Sequence, residues 1–257
     1  MPIQTSDLLT KYSVKTGTAG NSTSGSANAS LGKYISTTQI TDNTLNNLFD
    51  DISGDENAAQ TVDYRCFFIH NNHASLSWQN PKIWVSGIRC TVEADDDTFT
   101  SNSHGFVDGD MVRVDGEYNT DTMPGNLSNS TTYYVRDKTD NTFKLSTSNG
   151  GAAVNISSDG TVAVRKYGYV TFELAIDDAA ASAIGASGAH AAEITNETTA
   201  PTAVGAFSAP TTKATGLSLG TIAAGYCKAV WVKRTALNVG ARDNDFGMYR
   251  ASGDSAQ

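Results

Sequence analysis

The side chains able to bind a metal or act as a nucleophile are few: four histidines and three cysteines in 257 residues. His70 and His73 stand three apart, where a strand-like run gives way to Asn71-Asn72 turn chemistry. Two imidazoles supply two ligands, whereas a catalytic zinc takes three and keeps one position open. Both are read as turn or edge histidines. His104, within Ser103-His104-Gly105, reads as a hydrogen-bonding turn residue, and His190 closes an Ala/Ser/Gly-rich stretch. Cys66, Cys90 and Cys227 each sit in an apolar, β-like run, without a CxxC pair or a Cys/His metal spacing. They are expected to be buried, reduced thiols that pack as small hydrophobes. A Cys66–Cys90 disulfide is the alternative, against which stand the odd cysteine count and the lack of a secretory start.

Asp95-Asp96-Asp97 invites a calcium reading. A calcium loop of the EF-hand kind needs alternating acids, a central Gly and a later Glu, but Thr98-Phe99-Thr100 follows here. Asp108-Gly109-Asp110 is explained as a hairpin turn. Glycoside hydrolysis needs two carboxylates about 5–10 Å apart across a cleft, and no motif nominates such a pair. The sequence has no G-x-S-x-G elbow, P-loop or G-x-G-x-x-G. Enzyme activity is therefore not expected, nor is a cofactor or a metal. Trp78, Trp84 and Trp231 lie in alternating runs and are expected in the core; a sugar-stacking platform is the alternative.

The elements that must hold these residues are those of a polar β protein. Ser and Thr together number 56, Gly 23, and only 18% of residues are charged. No apolar run approaches the ~18–20 residues of a membrane span. Met1-Pro2-Ile3-Gln4-Thr5 lacks the basic and apolar regions of a signal peptide, so the several N-x-[S/T] sites, Asn21, Asn126 and Asn196 among them, carry little weight. Net charge is −9, of which residues 91–165 (twelve acids, five bases) hold −7. Such a chain is a poor ligand for nucleic-acid phosphates or an anionic membrane.

Along the chain, residues 1–60 read as an N-terminal arm, polar between Thr16 and Ser30, with one short helix carrying Leu45, Leu48, Phe49 and Ile52 and stopping at Ser53-Gly54. Thr61–His70 is apolar on both faces and suits a central strand. Ser75–Trp78 and Lys82–Val85 are strands separated by a break at Asn80-Pro81. Residues 91–165 hold several short strands at about 8–12-residue spacing, with Asn149-Gly150 as a turn, and predict a small barrel or sandwich. Val154–Ile156 and Thr161–Val164 complete this unit. Tyr169–Ile176, Glu193–Thr195, Val204–Phe207, Leu217–Ile222 and Cys227–Lys233 return to strand patterns. The expected fold is mainly β: a β-sandwich of jelly-roll or Ig-like type over residues 61–90 plus 166–257, interrupted by an inserted acidic β module at 91–165.

Several of these segments carry a resemblance. They are Ala29-Ser30-Leu31-Gly32, Leu48-Phe49-Asp50-Asp51-Ile52-Ser53, Asp63-Tyr64-Arg65-Cys66-Phe67-Phe68-Ile69-His70-Asn71-Asn72, Thr199-Ala200-Pro201-Thr202-Ala203-Val204 and Ala229-Val230-Trp231-Val232-Lys233-Arg234-Thr235. Their order resembles a group of tailed-bacteriophage virion structural proteins over residues 25–90 and 166–240. Lys33 follows Gly32 where the group has a second Gly. His104-Gly105-Phe106, Thr131-Thr132-Tyr133-Tyr134-Val135 and Asn141-Thr142-Phe143-Lys144-Leu145-Ser146 resemble a small β module that recurs as an insertion in phage head, tail and fibre proteins.

The resemblance implies a virion component, assembled in the host cytoplasm, that binds other virion proteins such as major capsid or tail proteins and forms a homo-oligomer. A head decoration or cement role leads. A collar, tail or baseplate component, or a host-receptor or glycan-binding appendage, are the alternatives. Assembly contacts are expected from the arm, through Ser30, Leu31, Gly32, Tyr34 and Ile35, and from Arg65 and Arg234, which interrupt apolar strands. Their other reading is an internal salt bridge. Phe106, Tyr118, Tyr133 and Tyr134 are the surface-binding candidates on the insert, although Tyr133 and Tyr134 must point to opposite faces of one strand.

Overall fold

The computed structural model describes residues 2–17, 25–42, 44, 46–240 and 246–256. The fold is mainly β, with 41% strand against 5% helix. Its organising strand is β3 (Val62–Asn71), in which Cys66 and Phe68 alternate with Phe67 and Ile69 and all four are buried. A strand apolar on both faces is stable only when both are covered.

β3 accordingly lies inside an antiparallel sheet. On one side it pairs with β1 (Leu8–Val14), from Leu8 opposite Asn71 to Tyr12 opposite Phe67. On the other it pairs with β14 (Tyr226–Ala236), from Cys227 opposite His70 to Thr235 opposite Val62. β2 (Tyr34–Gln39) lies outside β1, and β11 (Val170–Ile176) lies outside β14; β12 (Ser182–Ala183) pairs the start of β14.

A second sheet orders β13 (Leu217–Ser218), β4 (Ser77–Ser86) and β15 (Met248–Ala256). Its Trp78, Ile83 and Val85 pack on Phe67, Ile69, Val230 and Val232 of the first sheet. The other face of the first sheet shows Cys66, Phe68, Ala229 and Trp231. Chain around Ile35, Ala191 and Ile194 covers it.

Between β4 and β11 the chain closes a separate barrel. Its strands are β5 (Ile88–Glu93), β6 (Thr98–Thr100), β7 (Met111–Asp115), β8 (Tyr133–Arg136), β9 (Thr142–Ser146) and β10 (Gly160–Lys166), ordered β10-β5-β6-β9-β8-β7. Val112, Val114, Val162 and Val164 point inward around Phe99, Phe106 and Phe143, so side chains fill the interior. The chain enters at Ile88 and leaves just after its cross-strand partner Val164.

Several local expectations are corrected. The helix is α1 (Gly54–Ala59), not residues 41–52; Asn43 and Leu45 lie outside the described residues. Ser53 starts this helix instead of stopping the earlier one: its Oγ accepts from Glu56 N while the Glu56 carboxylate accepts from Ser53 N. Leu48 and Phe49 pack against the sheets instead.

β4 runs unbroken through Asn80-Pro81, with Asn80 at φ +49 where the register with β15 shifts. Glu193–Thr195 and Val204–Phe207 contribute single bridges, not strands. Val154–Ile156 is likewise not a strand. β15 carries Arg-Ala-Ser-Gly-Asp-Ser, a composition without a strand pattern, and was not expected. Most consequentially, the described parts of the arm are built in. β1 and β2 are sheet strands, and Val14, Ile35 and Ile40 are core residues. No described helix is long and apolar enough to cross a membrane.

Candidate functional site

Two polar clusters organise the molecule. The first is where the barrel meets the sheets. Glu117 follows β7 in a turn, yet its side chain is fully buried. Its Oε1 accepts from Trp84 Nε1 and Gly87 N, both at 3.3 Å, and from Ser86 Oγ. Its Oε2 makes no hydrogen bond but lies 3.9 Å from Arg89 Nη1 and 3.7 Å from Arg250 Nε. One carboxylate thus ties β4 and β15 to the barrel, whose strand β5 carries Arg89. A buried charge is tolerated only when so surrounded.

Arg89 also grips Asp121 through two bonds of 3.0 and 2.6 Å, which raise the Arg89 pKa. Burial pushes the Asp121 carboxyl up, but Arg89 and the Tyr118 N–H outweigh it and hold the group below the usual carboxylate range.

Around the same junction, Lys166 Nζ sits 3.0 Å from Asp110 Oδ2, with both side chains almost fully buried. Arg165 Nε donates to Asp115 at 2.8 Å, and Thr211 Oγ1 donates to the other oxygen at 2.9 Å. Beside these pairs is a cavity of about 150 Å³, walled by Arg165, Tyr167, Tyr169, Phe172, Phe246 and Met248. That volume suits one ring-sized apolar group.

The second cluster clamps the N-terminal region. The Phe49 ring lies against both Arg65 and Arg234, at 5.5 and 4.7 Å. Arg65, on β3, pairs with Glu197 and donates to Asn28 Oδ1 at 3.3 Å. Arg234, on β14, donates to Asp63 Oδ2 at 2.8 Å and to the Asp50 carbonyl. These two cations therefore fasten residues 28, 49–50 and 197 to the sheet.

The stretch from Ser30 to Ile35 is fastened in the same way. Ser30 O accepts from Cys66 N at 2.8 Å, and Leu31 O from Ile194 N at 3.1 Å. Gly32 N donates to Ser13 Oγ at 2.9 Å. Behind it, buried Asp177 accepts from Trp231 Nε1 at 2.9 Å and Ala192 N at 2.8 Å. Tyr34 is half-buried with its ring edge-on to His190, and Ile35 is fully buried.

Each expected site residue can now be placed. Arg65 and Arg234 are 0% and 5% exposed at the side chain, so they face inward and hold the fold together. Burial with a carboxylate on hand makes the internal pair the favoured arrangement. Ser30, Gly32 and Ile35 are buried as well, while Leu31 and Tyr34 are partly open. On the barrel, Phe106 and Tyr133 are core residues, 2% exposed each, because their strand or turn phase points inward. Tyr118 is half-buried between Trp84 and Arg89, and Tyr134 is half-buried on the outer face.

The three thiols are buried and free, and burial lifts Cys90 and Cys227 to about 12. No group of three or more His, Cys, Asp or Glu among the described residues is placed to hold a metal ion. Glu117 and Asp177 were missed. Each is an acid next to turn-like sequence, indistinguishable there from solvated acids. Comparison with protein-family models, curated proteins and solved structures finds no match.

Proposed function

We propose that the chain is a structural component of a tailed-bacteriophage virion that binds other virion proteins, with decoration of the head surface as the leading role. The observation that carries this reading is where the buried charges lie. Arg65–Glu197, Arg234–Asp63, Arg165–Asp115 and Glu117 with its partners each join segments far apart in sequence. Such pairs fix one arrangement of parts more than they add stability. That is the requirement of a building block that must present a constant surface.

The barrel supports the same role. It is linked through adjacent strands and filled by its own core, which makes it a module suited to display on a particle. This reading takes the two packed sheets as a sandwich of jelly-roll or Ig-like type. The motif order that resembles virion proteins is the sequence-level reason for this reading. The appendage alternative loses Phe106 and Tyr133 as ligand-facing residues, since both are buried.

The test is immunogold electron microscopy of intact virions, with antibody against residues 95–160. Gold over the whole head supports decoration. Gold at one vertex or on the tail moves the protein to the collar, tail or baseplate. Unlabelled virions, with the antibody proven on the pure protein, overturn the proposal.

A further inference from the structure

The outer wall of the barrel has a charge polarity that its ion pairs do not cancel. At the junction end, Arg113 on β7 stands directly opposite Arg165 on β10. Like charges in this position repel. Arg165 is neutralised by Asp115. Arg113 is not: among the described arginines it alone makes neither a hydrogen bond nor an ion pair, and its buried Nε has no partner. Its guanidinium carbon lies over the Tyr167 ring, 3.8 Å from the centroid, a contact that holds the group without satisfying its N–H donors. Arg165 lies 5.9 Å from the same ring. A pre-positioned guanidinium of this kind is built to receive a carboxylate in a bidentate pair.

The opposite end of the barrel is the complement. Gly160 pairs with Val92 five residues back along β10 from Arg165, which is about 17 Å of strand. There the β5–β6 turn and the loop before β10 present Glu93, Asp95, Asp96 and Asp159, all exposed. No Lys or Arg occurs in residues 90–98 or 155–160. Acids and arginine are therefore separated along one rigid body and cannot meet within it.

We infer that the barrels of two copies associate head to tail, the acidic tip of one on the Arg113–Tyr167 shelf of the next. The contact is heterologous, so each copy keeps one free tip and one free shelf. Such a contact propagates into a ring or a row. It sets exposed carboxylates against a half-buried arginine at the surface, so it is weak per contact and weakens with salt. The inference stands apart from the virion reading: it concerns the pure chain in solution.

Sedimentation velocity on the full chain tests it. The wild type should show a sedimentation coefficient that rises with concentration at low salt. That rise should vanish at about 1 M salt, where the screening length is about 3 Å. Arg113→Met should remain monomeric, as should the double variant Asp95→Asn/Asp96→Asn, each with a melting curve confirming that it is folded. Mixing the two variants is the decisive step. The intact tip of the first then fits the intact shelf of the second, and assembly should stop at a dimer. A wild type that stays monomeric at low salt, variants that associate like it, or a mixture that stays monomeric overturns the inference.

Discussion

Gly32→Ala separates a structural role for the Ser30–Ile35 stretch from a role in binding neighbours. Gly32 has φ +88, and a Cβ there would lie 2.0 Å from the Ala192 carbonyl oxygen and 2.8 Å from Trp231 Cζ2. The left-handed backbone alone costs a side-chain-bearing residue about 1–2 kcal/mol. The overlap also forces residue 192 back by an ångström or more. That movement pulls on two hydrogen bonds, Lys33 N to Ala192 O at 2.9 Å and Ala192 N to Asp177 at 2.8 Å. Each contributes about 1 kcal/mol. The expected loss is about 3–4 kcal/mol, a fall in Tm of about 10 °C for a chain of this size.

Gly150→Ala is the matched control, because Gly150 has φ +71 with no atom within 4 Å of its notional Cβ. It should show the backbone cost alone, about 1–2 kcal/mol. The assay is urea unfolding of the isolated chain followed by tryptophan fluorescence, with calorimetric Tm alongside. Equal shifts for the two variants would refute the argument that residue 192 closes on Gly32. An unperturbed Gly32→Ala chain would return the stretch to the role of an assembly contact.

Three further outcomes are expected. Arg234→Met, which strands buried Asp63, should cost about 3–5 kcal/mol; adding Asp63→Leu should recover much of it, measured as a double-mutant cycle by urea unfolding. Deleting residues 1–40 should abolish the calorimetric transition of the sheets while leaving that of the separately cored barrel, because it removes β1 from beside β3 along with β2. Burial depresses His70 from its ordinary 6.5 to about 4, so the unfolded chain binds the extra proton first. Stability should therefore be constant above pH 6.5, fall by up to about 3 kcal/mol as pH drops towards 4, and level off below. His70→Gln should flatten that part of the curve of urea midpoint against pH.

Period-two patterns read without structure located the strands whose burial is local in origin. β3, β11 and β14 carry their apolar residues in phase, and the barrel strands announce themselves between turn residues such as Asp108-Gly109-Asp110. The same phase argument places Tyr133 and Tyr134 on opposite faces, as observed. The capping box Ser53-x-x-Glu56 is present in the sequence as a helix start, whereas Leu48 and Phe49, whose spacing suggests a helix, serve tertiary packing instead.

What sequence does not carry is the pairing of distant groups. Composition marks residues 16–30 as unable to order alone, and only the sheet shows that β1 before them pairs with β3 and β2 after them pairs with β1. A buried Arg is visible as a cation in an apolar run, yet its partner, Glu197 for Arg65 and Asp63 for Arg234, comes from elsewhere in the chain. Glu117 looks like any solvated acid until the fold brings Trp84, Ser86 and Gly87 to its carboxylate. Local periodicity determines which residues turn inward. Desolvation and charge pairing act between segments far apart in sequence, so only the folded chain decides which polar groups those residues meet.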